Sequence, residues 1–132
     1  MIGLDTNVLV RFLVRDDDEQ HQAALDLLAR GVAAWERFFI GEVVLAETGW
    51  VLASRYRCSR EEPTAVIRQL VGAEELAFES ADRVVRALHV FEQGSAGFAD
   101  YLLIGERARD AGCREVYSFG QKLLRNSPFV RP

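Results

Sequence analysis

Apolar positions fall into two rhythms along the chain. Short unbroken runs at residues 2–4, 38–40, 76–78 and 116–119 predict strands. Between them the apolar positions recur at helical spacing. Helices are expected over residues 7–14, 19–30, 42–56, 80–92 and 98–111, with another opening at Ser59. In the second helix, Ala23, Ala24, Leu27 and Leu28 share one face, Asp16, Asp17 and Asp18 lie where the N-terminal dipole favours acids, and Gly31 reads as the break after it. Ser59 followed by Glu62 matches a capping box with Pro63 in the first turn. Ser80 reads as a cap, Gly94 and Gly112 as stops. A short helix over 121–125 and an edge strand from Phe129 complete the pattern. Strands alternating with helices imply an α/β fold, with a mostly parallel sheet covered on both faces.

A length of 132 residues suits a single domain, 1–132, and shows no internal repeat or linker. At 49% hydrophobic and 27% charged the composition is that of a folded chain, not a disordered one. No apolar run reaches the roughly 20 residues that cross a bilayer, and Asp5 and Arg11 interrupt the first one, so neither a membrane span nor a signal peptide is expected. That favours the cytoplasm, where Cys58 and Cys113, in no metal-binding spacing, are expected as reduced thiols. The net charge of −4 argues against a general nucleic-acid coat but leaves room for an enzyme with a local basic rim.

Chemistry is expected at three isolated acids. Asp5 follows the first strand directly, where parallel α/β proteins place their sites; it either caps the next helix or holds a cation. Glu47 is the lone ionisable group between Val43 and Leu52, and helical spacing groups it with Val43, Val44, Trp50 and Val51, pointing inward. A buried glutamate paired with an arginine is the alternative there. Glu42, about 140° away around the same helix, reads as a first-turn acid facing the dipole. Asp100 stands alone among Phe98, Ala99, Tyr101 and Leu102. Three such carboxylates suit a hard divalent cation. His21 and His89 read as surface or core-edge residues. An aspartyl phosphotransferase built on Asp5 fits less well, since Asn7 stands where a second aspartate is wanted.

Four segments, "IGLDTNVLVRFL", "VVLAETGWVL", "GFADYLLIGERARDAGC" and "VYSFGQKLL", resemble PIN-domain proteins in order and spacing, and the VapC-type ribonuclease toxins in particular. The resemblance implies a three-layer fold with a central parallel sheet of about five strands, and Mg²⁺- or Mn²⁺-dependent RNA cleavage. It also implies a homodimer and a small antitoxin partner. Asp5, Glu47 and Asp100 match the family's first three acids, with Asp5 and Asp100 as metal ligands and Glu47 acting on the attacking water. Thr6 and Asn7 match the companions that orient the first acid, and Ser118 a hydroxyl before the fourth. The fourth acid itself is replaced by Gly120, and Gly97 stands where many relatives carry another aspartate. The alternative is therefore a PIN-fold protein that binds RNA or an antitoxin but cleaves weakly. Arg11, Arg15, Lys122 (the only lysine) and Arg125 are candidates for holding RNA phosphates, or else ordinary surface cations.

Overall fold

The computed structural model describes residues 1–57 and 59–132, so Cys58 lies outside it. Three short strands, β1 (Ile2–Gly3), β2 (Phe38–Ile40) and β3 (Leu76–Phe78), form a parallel sheet with β2 in the middle. Ile2 faces Phe38, which in turn faces Leu76. Parallel neighbours need crossovers, and helices supply them: α1 (Thr6–Leu13) and α2 (Asp18–Ala33) before β2, α3 (Glu42–Ser54) and α4 (Glu61–Val71) before β3. After α5 (Ala81–Gln93) comes a long helix, then β4 (Val116–Tyr117), a 3₁₀ turn at Leu123–Arg125 and β5 (Phe129–Val130).

The expected α/β class and parallel pairing are present, but the five strands are not one hydrogen-bonded sheet. β4 pairs with β5 in a sheet of their own. The outer strands divide between two different partners. Ile2 and Leu4 donate to Arg37 and Phe39 of the β2 side, whereas Val116 and Ser118 donate to Pro128 and Val130. Around the sheet, Phe38, Ile40, Leu45, Ile67, Val84, Leu88 and Leu102 are buried in one apolar cluster. Among the described residues no helix is long and apolar enough to cross a membrane.

Helix starts follow the local chemistry. The Asp17 carboxylate accepts from the Gln20 amide (3.0 Å) and opens α2; the Ser80 hydroxyl accepts from Arg83 (3.2 Å) and opens α5. Gly112 ends the long helix with φ +88°, the left-handed conformation glycine takes most readily. Gly31, expected as a break, instead lies inside α2. A Cβ there would come within 2.2 Å of the Phe38 ring, so the glycine lets the helix rest on β2. Ala23 of the expected apolar face is exposed, and Ala24 carries the burial. The Ser59–Glu62 capping box does not form either. Arg60 stands at the α4 N-terminus with no side-chain cap, its guanidinium drawn away to the carbonyls of Phe91 and Ala96.

The helix expected over 98–111 is present with a different winding. Asp100–Glu106 is π-helical and passes into α6 (Arg107–Asp110). Such i→i+5 segments are rare and often stand at functional sites. Apolar spacing gives no sign of one.

Glu42 corrects its expectation most sharply. It does stand in the first turn of α3, but it is wholly buried, with 0% exposure, and paired with arginines instead of serving the helix dipole alone. Its two oxygens accept from Arg83 Nη1 (2.5 Å) and Arg107 Nε (2.9 Å). Arg107 reaches on to Glu79 (3.2 Å), Arg83 to Asp110 (2.8 Å), and Arg86 to both Asp110 and Glu106 (2.6 Å each). The network ties the start of α3 to α5 and α6.

Within it Asp110 titrates below the usual carboxylate range, held down first by the hydrogen bond from Arg83. Asp16 is lowered likewise, chiefly by the Tyr56 hydroxyl. A folded pKa below the unfolded one means the stabilisation is complete above the ordinary value of about 3.9 and fades as pH falls through the folded one. The urea midpoint is therefore expected to drop on acidification below about pH 4. A midpoint unchanged down to about pH 3 would exclude this contribution.

Candidate active site

Asp5 follows β1 and is exposed, not buried between apolar segments. It does cap α1: one carboxylate oxygen accepts from the amide (3.4 Å) and the side-chain nitrogen (3.3 Å) of Asn7. Asn7 thus orients Asp5, as expected. Thr6 does something else, donating its buried hydroxyl to Glu47 at 2.7 Å. That bond joins the start of α1 to α3 and brings the first two acids to the same end of adjacent strands.

Glu47 faces outward. Its inward orientation does not hold, and the buried glutamate paired with arginines is Glu42 on the same helix. The reason is visible in α3 itself, which is apolar nearly all round. Leu45, Ala46, Gly49 and Leu52 are buried, yet Val43 and Trp50, which share the Glu47 side, are 55% and 69% exposed. Apolar neighbours on such a helix do not identify the inner face.

Asp100 begins the π-helical segment and is half-buried, with one oxygen accepting from the Gly97 amide at 3.1 Å. The hydroxyl of Tyr101 braces this corner, accepting from the Ala96 amide (3.1 Å) and donating to Asn126 (2.9 Å). Asp100 lines a cavity of about 660 Å³ together with Arg60, Gly97, Gly120, Gln121 and Lys122. The β4 end and the Asp100 corner therefore share one cleft. Ser118, at the end of β4, accepts from the Gly120 amide at 3.0 Å and shapes that turn.

The three acids share a property. Each is held through one oxygen by a neutral donor, and the other oxygen has no protein partner among the described residues. No ion pair among the described residues uses any of them. They are oriented but not neutralised. Nor do three or more acidic, histidine or cysteine side chains converge into a cage among the described residues. Mg²⁺ ordinarily takes one or two carboxylates and fills its octahedron with water and phosphate oxygens. Carboxylates in this state would hold a hard cation only openly, with water and phosphate oxygens completing its shell, and not in a closed structural site.

At both glycines in the missing acidic positions an added side chain would meet a neighbouring side-chain oxygen tightly. A Cβ at Gly97 would lie 3.2 Å from Asp100 Oδ2, and one at Gly120 3.3 Å from Ser118 Oγ. Neither backbone is left-handed, so a carboxylate at either position requires only small adjustments.

The four basic candidates divide. Arg11 is held by Asp16 and Gln20 (2.6 Å each) and Arg15 by Asp18 (2.9 Å), so their charges are already matched. Lys122 lines the Asp100 cavity, and Arg125 reaches its edge through Ser95 (3.3 Å). Arg60, in the same cleft, was not singled out by the sequence; its proximity to Asp100 depends on α4 packing against α5. His21 contacts the Arg11 carbonyl (2.7 Å) and His89 is exposed, neither near the acids. Cys113 is a free, exposed thiol.

On this parallel α/β core Asp5 follows β1, Glu47 lies within α3 and Asp100 opens the π-helical segment. The chain belongs to the PIN domain family, whose model matches residues 2–126. Among curated proteins it is similar to the VapC ribonuclease of Aquifex aeolicus (strain VF5). The two are 27% identical over 122 residues, covering 90% of this chain and 87% of that protein.

Proposed function

We propose that this protein is a metal-dependent endoribonuclease, the toxin of a toxin–antitoxin pair, with Asp5, Glu47 and Asp100 at its centre. The observation that carries the reading is the state of those acids, each oriented by a neutral donor and left without a cationic partner. Asp5 and Asp100 would hold Mg²⁺ or Mn²⁺. Divalent-metal chemistry at such a site consists of neutralising charge on the scissile phosphate and acidifying the attacking water. Glu47, fixed by Thr6, orients that water and accepts its proton. Lys122 and Arg125 bind flanking phosphate on the Gly120 side. Ser118 shapes the turn without touching the reaction. With Gly120 in place of a fourth acid, a single weakly held ion is the expected working state. We read residues 1–132 as one PIN unit acting in the cytoplasm as a homodimer, restrained by an antitoxin protein.

Gly97 and Gly120 favour a second reading, a PIN-fold protein that binds RNA or an antitoxin and cleaves weakly. One experiment separates the two: incubation of an RNA panel with Mg²⁺, Mn²⁺ or EDTA, using the natural protein beside Gly120→Asp. Cutting by the natural protein, with a gain of about tenfold in the variant as the ion is better held, supports the nuclease. Cutting by Gly120→Asp alone would establish the second reading.

A further inference from the structure

The cleft at Asp100 continues past the acid. Beyond Arg60 a second cavity of about 290 Å³ opens, lined by Trp50, Ala53, Pro63 and Phe98, with Arg60, Gly97 and Asp100 common to both cavities. We propose that this second cavity is a subsite for one unpaired nucleotide of the RNA, with its base stacked on Trp50 and its phosphate held by Arg60. The proposal rests on the nuclease reading above and adds a recognition site to it.

Arg60 is a fixed cation with charge to spare. Nε donates to the Phe91 carbonyl (2.8 Å), Nη2 donates to that of Ala96, and the guanidinium lies 4.1 Å from the centre of the Phe91 ring. No carboxylate pairs with it among the described residues, whereas Arg83, Arg86 and Arg107 each pair with at least one. A guanidinium has five N–H donors, so some remain for an anion in the cleft. Burial pushes its pKa down, which means the charged form is short of solvation there and gains from a phosphate.

Trp50 stands across the cavity. It lies one turn beyond Glu47 on the same side of α3, 69% exposed. Gly49 lets α3 approach the helix that carries Asp100, since a Cβ there would come within 3.1 Å of Phe98. An indole in this position offers a flat face beside an acid and a cation. Bases stack on such faces irrespective of sequence, but only when not already stacked within a duplex.

The test uses a Trp35→Phe background, which leaves Trp50 as the sole tryptophan; Trp35 is 96% exposed and outside the cleft. In EDTA, a single-stranded oligoribonucleotide is expected to quench Trp50 fluorescence saturably, and the duplex of the same sequence to leave it unchanged. Anisotropy of a labelled strand should show roughly tenfold weaker binding for Trp50→Ala, with most of it restored in Trp50→Phe. Arg60→Gln should weaken binding too, and Trp50→Ala covers the case in which it does not fold, since Trp50 is exposed. RNA binding without a change in Trp50 fluorescence, or equal affinity in Trp50→Ala, would overturn the subsite. Because binding is read without metal, quenching by a protein that cuts nothing would count against the nuclease reading alone, whereas cleavage unaffected by Trp50→Ala would count against the subsite alone.

Discussion

Glu42→Ala is expected to lower the stability of the fold by about 3 kcal/mol or more, the usual consequence of removing one partner from a buried ion pair. The side chain is fully buried, and both oxygens are used, by Arg83 and Arg107. Its loss would leave two guanidiniums facing a void at the junction of α3, α5 and α6. The arginines are partly exposed and can turn to water, which places the effect near the lower end of the range for such pairs. A urea titration reads this as a lower midpoint with an unchanged slope. Glu47→Ala on the same helix should move the midpoint less, since Glu47 is exposed and the change costs one hydrogen bond, that of the Thr6 hydroxyl. A Glu42→Ala midpoint indistinguishable from the natural protein's would mean that the network is not load-sharing as described.

The second large effect is on chemistry. Asp5→Asn and Asp100→Asn are each expected to lower metal-dependent RNA cleavage by at least about a hundredfold, as several kcal/mol of charge stabilisation are lost. Asparagine is the informative replacement for Asp5, because it caps a helix about as well as aspartate. It preserves the contribution to α1 while removing the charge. An unchanged unfolding midpoint with lost cleavage would show that Asp5 acts as a cation ligand beyond its capping role. Equal cleavage would reduce Asp5 to a cap.

The distribution of successes and failures along the sequence has physical causes. The capping role of Asp5 is legible in the sequence because a strand-to-helix junction is a local event. Strands β1 to β3 and most helix ends were legible for the same reason, being set by neighbours within a few residues. The exchange of roles between Glu42 and Glu47 was not. On a helix apolar on every side, periodicity loses its direction, and the inward acid is decided by arginines 41 and 65 residues away. Gly31 does not show its packing role in the sequence because its partner, Phe38, meets it only once α2 has folded onto β2. The capping box at Ser59 lost to carbonyls of Phe91 and Ala96, equally remote in the chain. The π-helical winding at Asp100 leaves no trace in the spacing of apolar residues, and neither does the cleft that gathers Arg60 and Trp50 around it.

The most direct test of the central claim is RNA cleavage by the purified natural protein in Mn²⁺, against EDTA and against Asp5→Asn prepared in parallel. Cleavage in Mn²⁺ that disappears both on chelation and in Asp5→Asn is the predicted result. Cleavage that survives either one, or no cleavage by the natural protein at all, would contradict a metal-dependent nuclease centred on Asp5.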